Sequence, residues 1–175
     1  MMTPEARFSD WQAQDAHAAW GANCGPGAIA GVLGLTLDAV RPHMGDFEEK
    51  GYTNPTLMWS ALRSLGVSFD VSRKPEFPEY GLARIQWEGP WTATGVPARV
   101  AYRHTHWVGA ARNLAGGTMI FDINAMSVGG WVGLGTWSDR LVPWLLGICE
   151  PKANGKWHVT HSVAVPISAI REATS

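Results

Sequence analysis

Asn23-Cys24-Gly25-Pro26-Gly27-Ala28-Ile29-Ala30 sets a thiol where a glycine-proline pair gives way to an apolar run. Pro26 suits a first helical turn, because it has no N–H to lose there. Ala28, Ile29, Val32 and Leu33 then recur at helical spacing until Gly34 ends the run. The reading predicts a helix with Cys24 at its N-terminus, where unsatisfied N–H groups and the macrodipole favour the thiolate, the reactive form of the side chain. Cys24 is therefore a candidate nucleophile. The competing expectation is a small buried cysteine packed beneath the helix.

Working outward, the first half of the chain reads as helical. Thr36 caps a short helix carrying Leu37, Val40 and Met44. Asn54-Pro55 opens another, with Leu57, Met58, Ala61, Leu62 and Leu65 on one face and Gly66 as its stop. The second half changes period. Val67–Val71 alternates loosely, Lys74-Pro75-Glu76-Phe77-Pro78 is a connector, and Pro97–Tyr102, His104–Arg112 and Thr118–Asn124 are strand-like. Ser138–Ile148 reads as a helix interrupted by Pro143, with Cys149 a core residue after it, and Lys156–Ile167 as a further strand. Helices first and antiparallel strands after predict an α+β fold with helices on one side of a sheet.

The 175 residues, 46 % of them hydrophobic, suffice for one domain over 1–175 with a core that needs neither disulfide nor metal. From about residue 126 the chain is expected to form a Trp-rich elaboration. Fourteen Lys and Arg against fifteen Asp and Glu, with no basic block, argue against nucleic acid as a partner. No apolar stretch reaches membrane-spanning length and the first residues carry no signal pattern, so a cytoplasmic location without membrane association is expected. Two isolated cysteines make neither a disulfide framework nor a Cys-x-x-Cys zinc site. Of the ten tryptophans, Trp87, Trp91 and Trp107 are candidates to line a substrate groove, since indole joins apolar area to a polar N–H.

A cysteine nucleophile needs a base, and the base needs a group to orient its ring. Among His17, His43, His104, His106, His158 and His161, the candidate is His106, sixteen residues ahead of Asp122. In a hairpin with a five-residue loop, Arg112–Gly116, Ala111 opposes Gly117 and His106 opposes Asp122, with Cβ atoms roughly 5 Å apart. Alternation keeps His104 on the His106 face and Asn124 on the Asp122 face, so Asn124 is an alternative orienter. Phe121-Asp122-Ile123 sets a carboxylate among apolar residues, where it requires a partner.

With these pieces in place, the chain resembles the papain-like cysteine peptidases and is most similar to the bacteriocin-leader-processing (double-glycine leader) peptidases. The resemblance rests on Asn23-Cys24-Gly25-Pro26-Gly27-Ala28, His106-Trp107-Val108 and Phe121-Asp122, in that order, over roughly residues 20–125. It implies a papain-like fold and a thiol hydrolase acting on a peptide or amide-containing substrate through a thioester. Cys24 is then the nucleophile, His106 the base and later acid, and Asp122 the orienter, with no cofactor or metal. The family places a glutamine shortly before its cysteine. Here Ala18-Ala19-Trp20-Gly21-Ala22-Asn23 holds none, which leaves Gln14 or Asn23 as the oxyanion donor. Three other readings compete. One is acyl transfer by the same triad, as in phytochelatin-synthase-like and transglutaminase-like enzymes. Another is a metal site of His104, His106 and Asp122. The last is a non-catalytic peptide-binding module on the same scaffold.

Overall fold

The structure, a computed structural model, describes residues 3–168, so the ends of the expected 1–175 unit lie outside it. It begins with a helix the sequence reading did not anticipate. This is α1 (Asp10–Trp20), opened by a capping box in which Ser9 and Gln12 exchange side-chain to backbone hydrogen bonds. The predicted Cys24 helix is α2 (Cys24–Leu33), closed by Gly34 at φ +66°. Short helices α3 (Leu37–Val40) and α4 (Phe47–Lys50) lead to α5 (Pro55–Ser64), whose first turn is capped by the Asn54 side chain accepting from the N–H of Leu57 at 2.9 Å.

Six antiparallel strands follow: β1 (Asp70–Ser72), β2 (Tyr80–Trp87), β3 (Thr105–Arg112), β4 (Thr118–Phe121), β5 (Trp131–Gly133) and β6 (Trp157–Ala164). They lie in the order β1-β6-β2-β3-β4-β5. The fold is α+β. β2 escapes the sequence pattern because every one of its residues is buried, so alternation is lost, and Trp87 ends this strand. Pro97–Tyr102, expected as a strand, is instead a helical turn, α6 (Ala98–Ala101), in which alanine and arginine favour helix and Pro97 precedes the first turn.

Helices cover both faces, not one. Helices α1–α5 pack with Tyr80, Leu82, Trp107, Ala111 and Phe121 in one core. The other face carries Ala83, Ile85, Val108, Ala110 and Ile120 beneath Trp137, Val142, Leu145 and Leu146. The last three belong to α8 (Val142–Cys149), which continues from α7 (Leu134–Thr136) through a widened turn at Trp137–Leu141. That turn lies where Pro143 lacks a donor and would crowd the carbonyl four residues earlier. Because α8 buries Leu145 and Leu146, Cys149 at its end is exposed, contrary to its expected core position. The Trp-rich segment beyond 126 thus roofs the second core, and β6 sits between β1 and β2 inside the sheet.

α2 lies close against the sheet because its inward positions have no Cβ. A methyl group at Gly25 would come within 2.5 Å of the Thr53 hydroxyl, and one at Gly27 within 2.5 Å of Ile123 Cδ1; Gly31 faces the Phe121 ring. Those glycines fix where Cys24 sits. Among the described residues, no helix is long and apolar enough to cross a membrane.

Candidate active site

The hairpin that carries His106 and Asp122 has its five-residue loop at Asn113–Gly117, one residue later than expected. Arg112 pairs with Thr118 and Gly109 with Phe121. This register sets Asp122 diagonally across from His106 instead of opposite it. The shift is by two residues, so the face is kept, and diagonal neighbours on one face remain within reach of longer side chains. His106 Nε2 and Asp122 Oδ2 are 2.9 Å apart, and both groups are buried.

Asp122 is fully enclosed and accepts four hydrogen bonds. Oδ2 takes His106 Nε2 and, at 2.8 Å, the indole N–H of Trp137. Oδ1 takes the backbone N–H and the side-chain amide of Asn124, each at 2.9 Å. Asn124 therefore secures the carboxylate and does not orient the histidine. Burial pushes Asp122 up, but the charge and hydrogen bond of His106, then Trp137 and Asn124, hold it below the usual carboxylate range.

With Nε2 committed to Asp122, His106 has Nδ1 left for Cys24, the first residue of α2, and both residues line one cleft. Burial pulls the imidazole down, yet Asp122 and the thiolate together raise it to about 10. Burial likewise pushes the Cys24 thiol up. The hydrogen bond and charge of His106, the Trp107 N–H and the Thr53 hydroxyl outweigh that, and leave it below its ordinary value. The favoured state is a thiolate–imidazolium pair. Cys149, although exposed, runs the other way, raised chiefly by partial desolvation. The chain matches no protein-family model and no curated protein.

Thr53, which the sequence reading passed over, holds the site from below. Its hydroxyl lies 4.0 Å from Cys24 Sγ, and its carbonyl accepts the Trp107 indole N–H at 3.1 Å. Trp137 was also missed as an Asp122 partner, although its segment was noted for aromatic content. Trp87 stacks on His106 at 5.7 Å and on Trp137 at 6.2 Å, forming an aromatic column that keeps water from the His106–Asp122 bond.

Cys24 and His106 open onto a cleft of about 1540 Å³, with Asp122 enclosed behind them. Of the proposed groove residues, Trp87 and Trp107 reach it, though both are almost wholly buried. Trp91 does not line the cleft. It stacks on His104 at 3.7 Å and donates its indole N–H to the Trp87 carbonyl at 2.7 Å, so it braces Trp87 from behind. The tryptophans presenting surface to the cleft are Trp59 and the exposed Trp144. His104 turns to Glu150, 2.9 Å away, and so does not join His106 and Asp122 in the three-ligand metal set considered from sequence.

Both oxyanion candidates line the cleft, with their amides engaged elsewhere. Gln14 donates to Asp10 at 2.7 Å and Asn23 donates to the Ala13 carbonyl at 2.9 Å, tying α1 to the start of α2. The backbone N–H groups of Cys24 and Gly25 belong to the open first turn of α2, whose first intrahelical donor is Gly27, bonded to Asn23 O at 2.8 Å. A thiolate, an imidazolium and the Cys24 N–H in one cleft can add to a carbonyl, bear the resulting oxyanion and protonate a leaving group.

Proposed function

We propose that this chain is a papain-like thiol hydrolase that cleaves a peptide or amide bond through a thioester on Cys24. The observation that carries the reading is His106 held by a fully buried, four-fold hydrogen-bonded Asp122, in one cleft with a Cys24 thiol that the His106 charge lowers. A cysteine-headed helix laid against an antiparallel sheet, with the histidine on one strand and the aspartate just past the end of its neighbour, supports the papain-like assignment.

In this mechanism the Cys24 thiolate attacks the carbonyl carbon. The C=O electron pair moves to oxygen, where the Cys24 N–H at the head of α2 donates to it, with Gln14 or Asn23 the candidate second donor after a change of partner. The imidazolium of His106 gives its proton to the leaving nitrogen as the C–N bond breaks. Water then adds to the thioester, passing a proton to His106. The C–S bond breaks, releasing the carboxylic acid and restoring the ion pair. Asp122 stays ionised and holds the ring through Nε2 in both halves.

The size of the cleft favours one second reading. It has room for an acceptor amine or thiol beside the acyl group, and such a nucleophile diverts the thioester to transfer. p-Nitrophenyl acetate tests both readings. The hydrolase reading predicts a burst of p-nitrophenolate and an acetyl mass increment on Cys24, absent in Cys24→Ala and strongly slowed in His106→Ala. Added glycinamide capturing the acetyl group would point to transfer. No acetyl adduct on Cys24 under any of these conditions would leave only a peptide-binding role.

A further inference from the structure

Arg84 stands in β2 directly across from Trp107 and, on the other side, His161, so it shares the sheet face that lines the cleft beside Cys24. It is only 5 % exposed, and buried arginines are ordinarily paired. This one has no carboxylate partner among the described residues. Its Nε has no hydrogen bond, and its Nη2 makes only long contacts, 3.5 Å to the Tyr102 carbonyl and 3.4 Å to the Thr105 hydroxyl. The guanidinium also lies over the Tyr102 ring at 5.6 Å. An Nε and an adjacent Nη form the fork that takes two oxygens of one anion.

The surroundings carry the same sign. Arg73, Arg99 and Arg103 line this cleft and make no ion pair among the described residues. The carboxylates that reach it are already engaged, Asp10 with Gln14 and Glu150 with His104. His161 lies close enough to Arg84 and Arg73 for their charge to add to the effect of burial in disfavouring its protonation. The whole chain has a net charge of −1, so this concentration of cations is local to the cleft.

We propose that Arg84, with Arg73, Arg99 and Arg103 around it, is a subsite for an oxyanion group on the substrate, a carboxylate or a phosphate, held beside the Cys24 thiolate. This rests on the thiol-hydrolase reading for its chemistry and narrows the substrate to acyl compounds that carry a negative group near the scissile bond. The apolar Trp59 and Trp144 then serve the uncharged part of the same molecule.

Iodoacetate and iodoacetamide differ by a carboxylate against a neutral amide, and both alkylate a thiolate with loss of iodide. The quantity to measure is the ratio of their rates at Cys24, by peptide mass spectrometry at pH 7, in the wild type, Arg84→Gln and Arg84→Lys. A unit-charge attraction at about 4 Å in water-like screening predicts a ratio lowered about fivefold in Arg84→Gln. Arg84→Lys should recover part of it. Succinate and inorganic phosphate should each be tried as protectants against iodoacetamide, and whichever protects at lower concentration names the oxyanion. If Arg84→Gln loses its folded circular dichroism, the exposed pair Arg99→Gln/Arg103→Gln replaces it, with a smaller fall in the same direction expected. An unchanged ratio, or no protection by either anion, overturns the subsite. Slow iodoacetamide labelling of Cys24 with an Arg84-dependent ratio would instead keep the subsite and remove the hydrolase reading.

Discussion

Trp137→Phe isolates the contribution of one hydrogen bond to the buried carboxylate. Trp137 is fully buried and donates its indole N–H to Asp122 Oδ2 at 2.8 Å. Losing a hydrogen bond to a charged group costs about 1.5–3 kcal/mol. The smaller ring leaves space beside Trp87 and Trp157 that adds about 1–2 kcal/mol. Together these predict a loss of about 2.5–5 kcal/mol, a fall of about 1–2.5 M in urea midpoint at a slope near 2 kcal/mol/M. A double-mutant cycle with Asp122→Asn separates the bond from the packing. A neutral acceptor makes a hydrogen bond of roughly half the strength, so the two changes should couple by about 1 kcal/mol. Costs that add to within about 0.5 kcal/mol would refute the role assigned to this bond.

Gly31→Ala drives a methyl group into the Phe121 ring, so α2 must lift. A loss of about 1–3 kcal/mol is expected in urea titration, with slower iodoacetamide labelling of Cys24 as the helix carries the thiol away from His106. Asp122→Asn removes the charge that sustains the imidazolium. Each unit by which the Cys24 thiol then rises costs about tenfold in labelling rate below its pKa, measured at pH 6. Stability should also depend on pH in a particular way. His106 is raised from 6.5 to about 10, so the native state holds a proton the unfolded chain has released, and this contribution is lost as pH rises through that window. Cys24 is depressed below 9.0, so its contribution grows with pH up to that value and offsets part of the loss. Urea midpoints should therefore fall most steeply from about pH 9 to 10, and a midpoint still rising there would contradict the ion pair.

The site was more legible than the sheet. Pro26, the apolar spacing and Gly34 were enough to put Cys24 at a helix head, because those signals act within one or two turns. The His106–Asp122 relation survived a two-residue error in register because side-chain direction depends only on parity. β2 was hidden by its burial on both faces, and β6 entered the sheet between β1 and β2 through long-range pairing that no local pattern encodes. A bulge at Thr160 similarly sets His158 across from Gln86 and His161 across from Arg84, although strict alternation would part residues three apart. Trp137 and Thr53 reach the site from fifteen and twenty-nine residues away, respectively, from Asp122 and Cys24, so only the folded chain joins them to it.

The central claim is the thiolate–imidazolium pair, and the most direct measurement is iodoacetamide labelling as a function of pH, read separately at Cys24 and Cys149 in the wild type and His106→Ala. The account predicts fast labelling of Cys24 at pH 6 that His106→Ala abolishes, while the exposed Cys149 reacts only at alkaline pH in both proteins. A Cys24 that labels like an ordinary thiol, with the same profile in both proteins, would contradict it.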